Sequence, residues 1–210
     1  MSTPREVLVR NRREFLQISL ASSALPLIAG EQREASFHDR INREPLHDVI
    51  VEMSSPLALA FRAAAVELGL EAHGIHDDIT DLWYNKLDRQ WRSTPTTLAG
   101  ITFSTSLFCL DMFARDYGMC VRFQALHNET ANGRAQHVIS GCGHLVEQAA
   151  ALDGEWGPAF ARFATAVPLA KSSEVQQKIV ETAVLLSEEP GPMVSWIIAP
   201  RLRNQSGPIS

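Results

Sequence analysis

Cysteine is scarce in this chain, and the usual cofactor motifs are missing. Three cysteines, Cys109, Cys120 and Cys142, are too few for a disulfide framework, and no CxxC pair is present to hold zinc. They read as small buried apolar residues, although an oxidising compartment could join two and leave one over. There is no GxGxxG, no glycine-rich loop ending in Lys-Ser or Lys-Thr, and no GxSxG. Dinucleotide binding, P-loop phosphoryl transfer and the α/β-hydrolase elbow therefore lack their signatures. No apolar run reaches the roughly 20 residues that a membrane-spanning helix needs. Basic charge is not in excess either: 19 Lys and Arg stand against 24 Asp and Glu, a net charge of -5. Such a chain has no electrostatic footprint for nucleic acid or an anionic membrane.

What remains is the profile of a globular protein. Of 210 residues, 45% are hydrophobic and 20% charged, enough to build an ordinary core without staples. The N-terminus stands apart. Arg12-Arg13-Glu14-Phe15-Leu16-Gln17 precedes a weakly apolar run from Ile18 to Gly30. Arg5 and Arg10 add positive charge before it. Paired arginines, a variable residue, then Phe-Leu and a polar residue ahead of an apolar run of signal length resemble a twin-arginine export signal. Asn11 departs from the usual Ser or Thr before the pair, and no clean small-x-small cleavage site follows. The expected organisation is a signal segment over 1–30, a polar linker over 31–46, one domain over 47–200 and a flexible tail over 201–210. Without its first thirty residues the chain carries 15 basic and 22 acidic residues, a charge of -7.

The body alternates. His47–Met53 is β-rich; Ser55 caps a helix with Pro56 at its first position and Leu57, Phe61, Ala65 and Leu68 on one face. Leu70–Ile75 is a second strand. Asp77 or Asp78 caps a helix with the stripe Ile79, Leu82, Trp83, Leu87 and Trp91. Thr96–Thr102 is a third strand, followed by a helix through Leu107, Leu110 and Phe113 to Tyr117, and then the strand Met119–Leu126. Strands alternating with helices imply parallel pairing with crossovers. The expected fold is α/β, three-layer, with a mostly parallel sheet of Rossmann-like or flavodoxin-like βαβ units and extra C-terminal helices. Asn132-Gly133 marks a turn into a strand over 134–140 that pairs antiparallel if the hairpin is tight. Helices are expected from near His144, over 158–167 and over 173–187, the last with Val175, Ile179, Ala183 and Leu186 on one face. Met193–Ala199 reads as a closing strand.

In open parallel sheets ligands bind beyond the carboxyl ends of the strands. Ser55, Thr102, Ser104 and Thr105 lie on such loops and offer hydroxyls and helix N-terminal amides for a phosphate or carboxylate. Helix capping is the competing account. His73, His76 and Asp77 are candidate metal ligands, since imidazoles and carboxylates cluster there, though at no recognised spacing. Cys142 and His144 in Gly-Cys-Gly-His are candidates for a nucleophile and its base, with His127 and Asn128 as further partners and glycines admitting substrate. Trp83, Tyr84 and Trp91 form either core or a partner-binding face, and Trp156 and Trp196 fit either account. No cofactor is visible.

The segments Asp78–Tyr84, Leu98–Thr102 and Leu107–Leu110 look similar to small bacterial proteins with a twin-arginine signal, a resemblance that carries no catalytic assignment. The export route implies a protein that crosses the membrane already folded. The expectation is a periplasmic accessory protein, a small subunit or escort of a larger redox enzyme, with the Tat translocase as a partner. Its membrane contact would be through the leader alone, or as a tether if the leader stays on. The alternatives are a stand-alone periplasmic enzyme, a small-molecule or metal binder using the strand-end crevice, and a structural envelope protein. Whether the chain is an enzyme is left open.

Overall fold

The computed structural model describes residues 46–130, 133–169, 174–182 and 191–201. Arg12, Arg13, Phe15 and Leu16, expected as the export signal, the expected linker up to residue 45, residues 131–132 of the expected turn and the expected tail from 202 lie outside them. Seven strands and five helices occur among the described residues, an α/β architecture. In chain order they are β1 (Asp48–Glu52), α1 (Pro56–Glu67), β2 (Glu71–Ile75), α2, β3 (Leu98–Phe103), α3 (Ser104–Asp116), β4 (Met119–Glu129), β5 (Ala135–Cys142), α4 (Gly143–Ala150), α5 (Trp156–Ala166), β6 (Val175–Thr182) and β7 (Met193–Pro200). Helix α2 has three parts: Thr80–Leu82, a π-helical turn over Trp83–Leu87, and Asp88–Ser93. None of these helices is long and apolar enough to cross a membrane.

One sheet runs in the order β2-β1-β3-β7-β4-β5-β6. Strand β1 pairs in parallel with both β2 and β3, as the alternating order leads one to expect, but β4, the fourth strand of that series, pairs only antiparallel, with β7 and β5. The other pairings are antiparallel, so the sheet is mixed. The hairpin expected around Asn132-Gly133 is present as β4–β5, with Thr130 N and Oγ1 both bonded to Arg134 across its base.

Successive residues of β1 enter different cores, as a strand buried on both faces requires. Val49 and Val51 pack with Phe61 of α1, Leu145 of α4 and Phe160 of α5. Ile50 packs with Trp83, Leu87 and Trp91 of α2 and with Leu107 and Leu110 of α3. The tryptophan stripe is therefore core, while Tyr84 between them is 67% exposed. Trp156 and Trp196 are buried as well. Burial fades toward β6. Val138 of β5 is half-buried and Ile179 of β6 is 60% exposed.

One expectation fails outright. The amphipathic helix expected over 173–187 is a strand over Val175–Thr182, bonded to β5 along its whole length; positions 183–187 lie outside the described residues. A four-residue spacing of Val175 and Ile179 fits a helix, but the backbone hydrogen bonds offered by the open edge of β5 decide the outcome.

Candidate functional site

The loops after β1, β2 and β3 meet where the topology says they should. Glu52 closes β1 fully buried. Its carboxylate accepts from Ser54 N and Oγ at 3.2 and 2.7 Å, and from Asp77 N at 3.0 Å. Asp77 adopts φ 59, a left-handed conformation that costs a non-glycine residue about 1 kcal/mol or more. Ser106 Oγ donates to its carbonyl at 3.3 Å, so both loop and helix hold that strained residue in place. Asp78 Oδ1 accepts from Thr80 N at 2.8 Å in the turn leading into α2, whose N-cap position is Ile79 rather than Asp77 or Asp78.

A crevice of about 330 Å³ opens here, lined by Asp77, Phe103, Ser104, Thr105, Gly191 and Pro192. The four hydroxyl residues named from sequence separate into two pairs. Ser104 and Thr105 line the crevice at the N-terminus of α3. Ser55 is buried and accepts from Ala58 N at 3.0 Å as the cap of α1. Thr102 is buried too, accepting from Trp196 Nε1 at 3.0 Å while donating to Phe103 O at 3.1 Å. These two are spent on the fold.

Cys142 lies at the end of β5, buried, and His144 on the first turn of α4. The His144 ring is oriented from elsewhere: its Nε2 donates to Pro168 O at 3.0 Å. The flanking glycines admit neighbouring chain and not substrate. A Cβ on Gly141, at φ 152, would lie 2.5 Å from Arg122 O at the β4 bulge, and one on Gly143 would meet the Gln176 side chain at 2.7 Å. All three cysteines are free thiols.

His127, expected near Cys142, instead joins a buried polar chain that the sequence did not reveal. His127 Nδ1 lies 2.7 Å from His137 Nδ1, and His127 Nε2 2.7 Å from Ser195 Oγ. Trp156 Nε1 donates to the same Ser195 Oγ at 2.9 Å, and the indole stacks on His137 with ring centroids 4.2 Å apart. Thr182 Oγ1 lies 3.4 Å from His137 Nε2 at the β6 end. Two facing Nδ1 atoms need one to accept, so at least one of the two imidazoles is neutral. Burial pushes His127 well below its ordinary value, aided by His137, and pushes His137 down to about 4. A signal existed: His127 and His137 are cross-strand partners in the register of the β4–β5 hairpin.

Metal-ligating atoms converge at the opposite ends of the strands. Asp48 at the start of β1, Glu71 at the start of β2 and His73 bring one ligand atom each within 4.8 Å of the others. His73 thus belongs to a cluster that can hold a cation. Its company is Asp48 and Glu71, while His76 and Asp77 are exposed in the loop beyond β2. Lys86, on the π-helical turn, sits among these groups. The His73 hydrogen bond first, then Gln90 and Lys86, outweigh burial and hold the Asp48 carboxyl well below the usual range. Partial burial acts to lower the Lys86 ammonium, but Glu71 and Asp48 raise it on balance.

No family model matches the chain, and searches of curated proteins and of solved structures give no match either.

Proposed function

We propose that this chain is an accessory subunit, exported folded by the twin-arginine route and docked on a larger periplasmic redox enzyme. The observation that carries the docking part is an apolar row across the unburied end of the sheet. Val194, Leu126, Val138 and Ile179 are successive cross-strand partners on β7, β4, β5 and β6. Such partners share a face. The row runs from buried Val194 to exposed Ile179 and continues into a groove of about 390 Å³ beside α3, where Phe108 is 67% exposed. Met112, one turn on, is 49% exposed. Contiguous apolar surface rimmed by polar side chains marks an interaction site. Here the rim includes Gln124 and Asp111. The export part rests on the Arg12-Arg13 segment. We read the β1–β3 half as the three-layer, Rossmann-like part of the fold.

Ile179→Lys is expected to abolish recovery of the stoichiometric partner from periplasm while changing the stability of the isolated chain by no more than about 0.5 kcal/mol, as at other exposed positions. Recovery of both proteins as lone monomers would overturn the reading. Arg12→Lys with Arg13→Lys should leave the product in the cytosol; unimpaired export would remove the route.

A second reading has its own observation. The left-handed Asp77, pinned by Glu52 and Ser106 over an open crevice, suits a small anion or metabolite bound at the α3 N-terminus. Thermal-shift screening of small carboxylates and phosphates tests it, with Thr105→Ala as the control.

A further inference from the structure

Asp48 and Glu71 face each other in register on adjacent parallel strands, a like-charge pair that repels unless a cation lies between. The Lys86 ammonium takes that place: its Nζ is 3.2 Å from Asp48 Oδ1, 2.8 Å from Glu71 Oε1 and 2.7 Å from His73 Nε2. The third distance exposes a conflict. His73 Nε2 is also 2.9 Å from Asp48 Oδ1. An ammonium only donates and a carboxylate only accepts, whereas an imidazole nitrogen carries either a proton or a lone pair. With a proton on Nε2 the Asp48 contact is satisfied and the Lys86 contact is repulsive. With a lone pair the reverse holds. With Lys86 as an ammonium and Asp48 as a carboxylate, no placement of the Nε2 proton satisfies both neighbours.

A metal ion in place of the ammonium removes the conflict, because all three protein atoms then act as electron-pair donors. The spacing suits one. Bonds of about 2.0–2.2 Å at tetrahedral angles put neighbouring ligand atoms roughly 3.4 Å apart. His73 Nε2 lies 2.9 Å from Asp48 Oδ1 and 3.6 Å from Glu71 Oε1, on either side of that value. The other oxygen of Asp48 is already oriented: Gln90 Nε2 donates to Oδ2 at 3.1 Å and to Thr96 Oγ1 at 2.9 Å. Outer partners of this kind fix a carboxylate ligand. The Lys86 side chain is 32% exposed and can swing into solvent.

We propose that Asp48, Glu71 and His73 form a site for one divalent transition ion, and that Lys86 fills it as a tethered cation in the metal-free chain. The donor set, one imidazole and two carboxylates, suits Zn²⁺ and leaves a fourth position open on the solvent side. The site stands on its own geometry and is independent of the docking proposal.

The full chain, stripped with chelator, is titrated with Zn²⁺ alone by calorimetry and native mass spectrometry. One ion per chain is expected. Lys86→Met, which removes the competitor, should bind about tenfold more tightly, the scale on which groups around a metal act. His73→Gln should bind none, with unchanged far-ultraviolet dichroism. Glu71→Gln, at an exposed position, should weaken binding without touching the fold. Three results overturn the proposal: no ion bound by either the wild type or Lys86→Met; equal affinity in those two; or binding that persists undiminished in His73→Gln and Glu71→Gln.

Discussion

Ser195 holds two buried groups at once, the Trp156 indole and the His127 imidazole. Ser195→Ala strands both. A buried polar group without a partner costs about 1–3 kcal/mol, so a loss of roughly 3 kcal/mol in denaturant unfolding is expected. The paired histidines give a second prediction. An unfolded histidine titrates near 6.5, while folded His137 is held down to about 4. Between those values the unfolded chain binds the extra proton. The stabilisation is complete above 6.5 and is lost as the pH falls toward 4, amounting to about 3 kcal/mol at most. The urea midpoint should therefore drop between pH 7 and pH 5; a flat profile would contradict the buried neutral pair. The two histidines lie ten residues apart on either side of a readable turn, so their meeting followed from the hairpin register. The meeting of Asp48 with Glu71 did not, because the register of parallel strands is set by how a whole helix packs between them.

Among the elements, α1 and α5 come closest at Gly157. A Cβ there would lie 2.8 Å from Phe61 N and 2.9 Å from Leu57 O, both backbone atoms of α1 that cannot rotate away. Alanine would gain about 1 kcal/mol of helix propensity. Overpacking against a rigid neighbour costs about 1–3 kcal/mol, so the clash wins. Gly157→Ala should lower the thermal midpoint, and a raised midpoint would show that the helices part freely. Elements β1 through β4 and the first three helices were readable as short β-rich runs alternating with segments of helical period, separated by caps, glycines and proline. Strand β6 escaped that reading for a physical reason. Six of its eight side chains are exposed, Val175 through Ile179 among them, which leaves no apolar alternation, and only Val180 packs against the core. Its conformation comes from its neighbour's hydrogen bonds. The position of the crevice loops at the strand ends follows from topology, but the consumption of Ser55 and Thr102 by α1 and Trp196 depends on tertiary neighbours.

Across the whole molecule, β7 is the strand on which the others converge. It lies between β3 and β4 and is antiparallel to both, with six register pairs to β3 and eight to β4. Among the described residues the half-sheets β2-β1-β3 and β4-β5-β6 touch in the ladder only through it. During synthesis every other described strand leaves the ribosome first, and until residues 193–200 follow, β3 and β4 each present a bare edge. Non-local pairing of this kind delays folding until late in synthesis. A chain truncated after residue 192 is expected to lose cooperative unfolding entirely, with dye-binding apolar surface in place of a transition. Under the export route proposed above, the same geometry makes β7, the last of the described strands, a certificate of completion: a translocase that refuses unfinished cargo would be refusing every nascent chain that still lacks this keystone.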